Sequence, residues 1–181
     1  MRLFVIQPGS RRILHRGSLH RFPSSVACGD SFPSRHFVQP SPAVEAVPEK
    51  EAFTGGMIIM SKAVVFFAQG TEECEALLVV DLLRRAKVEV IVASASGSRE
   101  IVSSHRVHIT ADALAEEVDY SDVDLVVLPG GIPGTPNLAA NKTVTDTCTA
   151  FARAGKKVAA ICAAPSVLAS LGLLEGKNAT A

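Results

Sequence analysis

The thiol of Cys162 is the first candidate for chemistry in this chain of 181 residues. It lies in VAAICAAPSVLAS, residues 158–170, where small and branched apolar residues run into the cysteine and Ala163, Ala164 and Pro165 follow it. That order predicts a buried strand turning sharply into a helix. A side chain on such a corner stands above the sheet edge, where free N–H groups and the helix dipole favour the thiolate, the reactive form. Ala160, Ala163 and Ala164 suit a cramped backbone, and Pro165 suits the first turn of a helix. The plainer alternative is a buried cysteine packed as a small hydrophobe, and periodicity favours it.

Three other segments carry candidate groups. GTEECEA, residues 70–76, places Glu72, Glu73 and Glu75 at the opening of a helix. One or two of these acids serve the helix dipole. Glu75 lies one turn inside, far enough along to face the sheet edge, where it can accept from a thiol or, protonated, donate to a thiolate. Cys74, between two acids, is expected to have a raised pKa and to be a poor nucleophile. LPGGIPG, residues 128–134, offers Gly130 and Gly131, whose N–H groups can be aimed at an oxyanion or a sulfur oxide. His105 and His108 lie on an expected hairpin. A Cys–His pair is one route to an activated thiol, although exposed histidines without a role are the commoner case.

Regular elements from Ser61 onward position these groups. KAVVFFA (62–68), VEVIVAS (88–94), VDLVVLPGG (123–131) and KVAAI (157–161) read as buried parallel strands. TEECEALLVVDLLRRA reads as a helix capped by Thr71, with acids first and arginines last. NKTVTDTCTAFARAG is a helix closed by Gly155, and APSVLASLGLL is another behind the last strand. The residues from Gly97 to Leu114 look like short alternating strands about a turn. The expected fold is therefore a doubly wound α/β sheet, in which ligands bind beyond the carboxyl ends of the strands. All three chemistry-bearing segments follow strand ends.

Composition narrows the function classes. The chain has 18 Lys/Arg and 18 Asp/Glu, so its formal net charge is zero, and it has no Trp and one Tyr. That gives no case for a specific nucleic-acid partner or a membrane surface. No apolar run approaches the roughly 18 residues of a membrane span. The four cysteines, Cys28, Cys74, Cys148 and Cys162, have no metal-like spacing and read as reduced thiols. Residues 1–44 are rich in Arg, Ser, His and Phe, with Asp30 the only acid, which is the composition of a mitochondrial or plastid transit peptide. A disordered extension on a cytoplasmic protein is the alternative. Residues 45–60, bearing Pro and Glu with no core pattern, read as a linker, and 61–181 as the folded domain.

Taken together, AQGTEECEA, VDLLRRA, VDLVVLPGGIPG, Asn137-Leu138 and VAAICAAPSVLA resemble the ThiJ/PfpI superfamily in its DJ-one branch. The resemblance runs from Ser61 to Ala181. It implies a flavodoxin-like α/β sandwich, a parallel sheet with helices on both faces, that forms a homodimer and needs neither metal nor cofactor. It implies that Cys162 is the reactive, oxidation-prone cysteine, that Glu75 is a protonated partner holding it as a thiolate, and that Gly130, Gly131 and the Ala163 backbone form the oxyanion pocket. The implied activities are glutathione-independent glyoxalase chemistry on methylglyoxal and deglycation of glycated protein, with redox-sensing and chaperone roles as the non-enzymatic alternative. The family often has an Arg in the hairpin at an interfacial anion spot; here His105 and Arg106 stand there. The family also continues beyond GKNATA into further strands and a helix, so the last third of the domain is expected to be missing. An amidotransferase-like domain fits less well, because Ala160 and Ala164 occupy positions where that group has glycine.

Overall fold

The structure is a computed structural model that describes residues 3–6 and 61–177. The linker, and most of the segment read as a transit peptide, lie outside the described residues.

Five parallel strands form the frame: β2 (Lys62–Phe67), β3 (Glu89–Ser94), β6 (Ala113–Leu114), β7 (Leu125–Leu128) and β8 (Lys157–Ile161). Their order is β8-β7-β2-β3-β6, with β1 (Leu3–Ile6) added outside β8. The chain moves outward from β2 through β3 to β6, then crosses back to β7 on the other side of β2. The loops after β2 and β7 therefore diverge at the strands' carboxyl ends, the position at which doubly wound sheets hold ligands. A hairpin of β4 (Glu100–Val102) and β5 (His108–Thr110) stands apart from the main sheet.

Alternation along β2 shows why these runs are apolar throughout. Val64 and Phe66 enter one core cluster, while Val65 and Phe67 enter the other. Both faces are covered, so every residue of the strand except its first is buried. Helix α1 (Glu73–Arg85) contributes Ala76 and Val80 to one face. Helices α2 (Gly134–Ala140), α3 (Lys142–Arg153) and α4 (Pro165–Ser170) contribute Leu138, Val144, Phe151, Val167 and Leu168 to the other. The flavodoxin-like, doubly wound architecture is thus observed.

Three elements differ from expectation. Thr71 is not the cap of α1: its hydroxyl accepts from the Ala68 N–H at 2.9 Å and is fully buried, and Glu72 caps the helix instead. Helix α2 was hidden because Gly134 and Pro136 look like turn residues; Pro136 is tolerated in its first turn, where the missing N–H has no intrahelical partner to lose. Finally, Leu3–Ile6 pairs antiparallel with β8, Leu3 opposite Ile161 and Ile6 opposite Val158. Four consecutive apolar residues at the start of an otherwise Arg- and Ser-rich segment supply that edge strand.

Candidate active site

Cys162 occupies the corner between β8 and α4 with φ +58°, one of three non-glycine residues in the left-handed region among the described residues. A side chain in that region costs on the order of 1 kcal/mol, a strain that the surrounding packing must hold in place. The turn is closed by the Ala164 N–H on the Ile161 carbonyl at 3.0 Å. With Ile161 and Ala164 buried on either side, the corner lifts Cys162 out of the core, and the residue is exposed. The bland reading of a core cysteine is met instead by Cys148 in α3, whose thiol burial pushes up to about 12.

The glycine loop brings the second group in. Glu72 N–H donates to the Gly130 carbonyl at 3.0 Å, tying the start of α1 to the loop after β7. Glu72 in turn accepts from Glu75 N–H at 2.7 Å, which fixes the first turn and directs residue 75 across Gly130. A Cβ placed on Gly130 would lie 2.5 Å from Glu75 Oε2, 2.7 Å from Cys162 Cβ and 3.2 Å from Cys162 Sγ. Only glycine lets the carboxyl and the sulfur occupy this space together. Gly131, at φ +103°, has the Gly70 carbonyl 2.6 Å from where its Cβ would stand. The structure therefore gathers Cys162, Glu75, Gly130, Gly131 and Ala163 at one point beyond the ends of β7 and β8.

The electrostatics refine the expected picture. The Cys162 thiol is raised above its ordinary value, first by a hydrogen bond with Glu75, then by burial and by the charge of Glu75; the N–H groups of Ala163 and Gly131 pull the other way. Glu75 Oε2 is buried and has no hydrogen-bond partner. The approach is thus close enough for the carboxyl to dominate the thiol's acidity and too poorly aligned to count as a formed bond at that oxygen. The structure brings the two groups of the expected pair together, with the carboxyl the main influence on the thiol. The nearby carboxyl disfavours the sulfur anion, and the two backbone N–H groups offset part of that.

The neighbouring acids have other duties. Partial burial works against the charge of Glu73, but hydrogen bonds from its own N–H, Ser103, Ser104 and the His105 N–H outweigh it and hold the carboxyl at about 2. His105 Nδ1 lies 2.9 Å from Glu73 Oε1. Within the chain the ring thus faces Glu73 and the Ser104 hydroxyl, and His108 is exposed. Arg106, the other residue of the expected anion spot, stands exposed on the hairpin turn with φ +66°. Cys74 behaves as read: Glu72, then burial and Glu73, raise its thiol. Among the described residues, Glu72, Glu73 and His105 offer donor atoms within 4.8 Å of one another. Glu72 is engaged as the cap of α1, and Glu73 and His105 with each other.

Sequence reasoning missed the support beneath the loop. Gly70 (φ +78°) packs against Pro133, and Gly134 lies so close to the Gly70–Thr71 backbone that a Cβ on it would stand 2.6 Å from Thr71 Cα. The glycines were visible in the sequence, but their partner across 60 residues was not.

Comparisons agree with this geometry. Residues 61–181 match the DJ-1/PfpI family. The chain is 42% identical over 115 residues to Protein DJ-1 homolog B of Arabidopsis thaliana, covering 63% of this chain and 26% of that protein. It is 33% identical over 119 residues to Deglycase TK1284 of Thermococcus kodakarensis, covering 66% of this chain and 70% of that one. The solved structure of oxidized Toxoplasma gondii DJ-1 superposes with a TM-score of 0.65 at 38% identity, covering 67% of this chain and 66% of that one. The chain thus spans about a quarter of the plant relative's length and about two thirds of the other two. With the family match running over residues 61–181, two thirds of its length, the chain belongs to the DJ-1/PfpI family.

Proposed function

We propose that the site performs cysteine-dependent glyoxalase or deglycase chemistry on methylglyoxal or its protein adducts, without metal or cofactor. The observation that carries this reading is the Glu75 carboxyl facing the Cys162 sulfur across Gly130, with the N–H groups of Gly131 and Ala163 on the same sulfur. The name of the Thermococcus relative, a deglycase, supports it. Glu75 takes the thiol proton as sulfur adds to the aldehyde carbon, giving a hemithioacetal. The Gly131 and Ala163 N–H groups stabilise the developing oxyanion. Glu75 then moves a proton from the first carbon to the second, which converts the hemithioacetal to a thioester. Water cleaves the thioester, releasing lactate and returning the thiol, so the net reaction consumes one water.

A second reading rests on the exposure of the same sulfur. Oxidised by peroxide to a sulfinate, Cys162 would present its oxygens to those two N–H groups, making the protein a redox sensor with incidental turnover. Lactate formation from methylglyoxal by wild type and Cys162→Ser, beside peroxide titration followed by intact mass, separates the readings. Turnover lost in the variant supports the enzyme. Uptake of two oxygens at Cys162 in a protein with no turnover supports the sensor.

The homodimer that the resemblance implies would use the outer face of α1, where Leu78 and Leu82 are exposed one turn apart. The composition of residues 1–44 supports targeting to a mitochondrion or plastid. Processing behind residue 44 would also remove β1 from the sheet.

A further inference from the structure

A cavity of about 390 Å³ lies at the carboxyl ends of β2 and β3, lined by Gln69, Ala95, Ser96, Asn137, Ala140 and Asn141. It is distinct from the thiol site: neither Cys162 nor Glu75 lines it. Its volume falls in the range of small-molecule sites. No lining residue carries a charge, and four of the six bear an amide or a hydroxyl.

Those polar groups are held in place by the backbone. Gln69 donates from Nε2 to the Glu100 carbonyl at 2.9 Å and accepts from Val102 N–H on Oε1 at 2.8 Å. Asn137 Nδ2 donates to the Gln69 carbonyl at 2.8 Å. Asn141 Nδ2 donates to the Ala95 carbonyl at 3.0 Å and to Glu116 Oε1 at 3.3 Å, while its Oδ1 accepts from Val144 N–H. Ser96 Oγ accepts from Gln69 N–H at 3.0 Å. Fixed in this way, the groups keep capacity to spare: a second amide proton on Gln69 and on Asn137, the Asn137 Oδ1 lone pairs, and the Ser96 hydroxyl proton. Both amide protons of Asn141 are spent, leaving it one lone pair on Oδ1.

We propose that this cavity binds a neutral polyhydroxylated ligand, a sugar or sugar alcohol. Adjacent hydroxyls each donate and accept, which matches preorganised primary amides and a serine hydroxyl. An anionic ligand would find no counter-ion on the lining and would face Glu116 behind Asn141. An apolar ligand would strand the unused donors and acceptors. The proposal is independent of the chemistry at Cys162.

The side-chain amides of Gln69, Asn137 and Asn141 are themselves reporters. In ¹⁵N-labelled full-length protein titrated with D-glucitol, their NH₂ resonances are expected to shift and saturate in the millimolar range. D-glucose 6-phosphate should bind no more tightly. Ala140→Phe, at an exposed position contributing only a methyl, should fill the cavity and weaken the response by about tenfold or more while leaving the remaining spectrum folded. Ser96→Cys, which keeps the volume but weakens the hydrogen bonding, should weaken it less. A linear, unsaturated response, or full binding retained in folded Ala140→Phe, overturns the proposal.

Discussion

Gly130 and Cys162 stand so close that the space between them admits no further carbon: a Cβ on the glycine would approach Cys162 Cβ to 2.7 Å. The same missing methyl leaves room for Glu75 Oε2. Gly130→Ala must therefore push either the carboxyl or the elbow aside. We expect a loss of about 1–3 kcal/mol in unfolding free energy and a large fall in methylglyoxal turnover. Denaturant unfolding beside a kinetic assay checks this; an alanine variant with wild-type rate would show that the two side chains need not share that space.

Glu75→Gln separates charge from proton transfer. Glutamine keeps the shape but removes the group that raises the Cys162 thiol, so the sulfur should ionise at lower pH. Iodoacetamide alkylation followed against pH should show a midpoint shifted downward. Turnover should nevertheless fall by about 10²–10⁴, because no base remains to carry protons. An unchanged alkylation midpoint would mean that the carboxyl does not control the thiol.

Glu73 makes a pH prediction for stability. Its carboxyl is held at about 2, below the ordinary 4.5. The unfolded chain therefore takes up the proton first as pH falls. The contribution of this group is complete above about pH 4.5 and is lost on descending toward 2. Glu73→Gln should flatten the acid limb of a stability-versus-pH curve in that window. An identical acid limb in variant and wild type would remove Glu73 from the account.

Thr71→Val tests the buried hydroxyl beneath the loop. The Ala68 N–H would lose its 2.9 Å acceptor with little change in volume. The expected cost is about 1–3 kcal/mol, read from chemical denaturation. A neutral result would indicate that water reaches that N–H.

Deleting residues 1–60 uncovers the outer edge of β8. Hydrogen exchange at Val158–Ile161 should accelerate, and association through the bare edge should increase with concentration. Exchange rates matching those of the full chain would show that β1 contributes nothing to the edge.

The elements were legible where a pattern is local. Both faces of β2 are buried, so its residues are apolar in sequence, and the parallel, doubly wound sheet follows from four such runs separated by helical segments. Cys162, Gly130, Gly131 and Glu75 stood out as candidates too, because small residues, glycines and helix-opening acids at strand ends are local features, although periodicity alone favoured a buried cysteine at 162. What depended on distant contacts was not legible. Thr71 and Glu72 are both good caps by type, and the choice between them fell to Ala68, whose N–H claimed the threonine hydroxyl. Whether Cys162 rests as an anion or shares a proton turns on how one carboxyl from α1 meets one sulfur beyond β8, across a loop from β7. Residue type and spacing act over a few positions and are written in the chain; the distance and alignment of groups nearly ninety residues apart exist only once the sheet has been assembled.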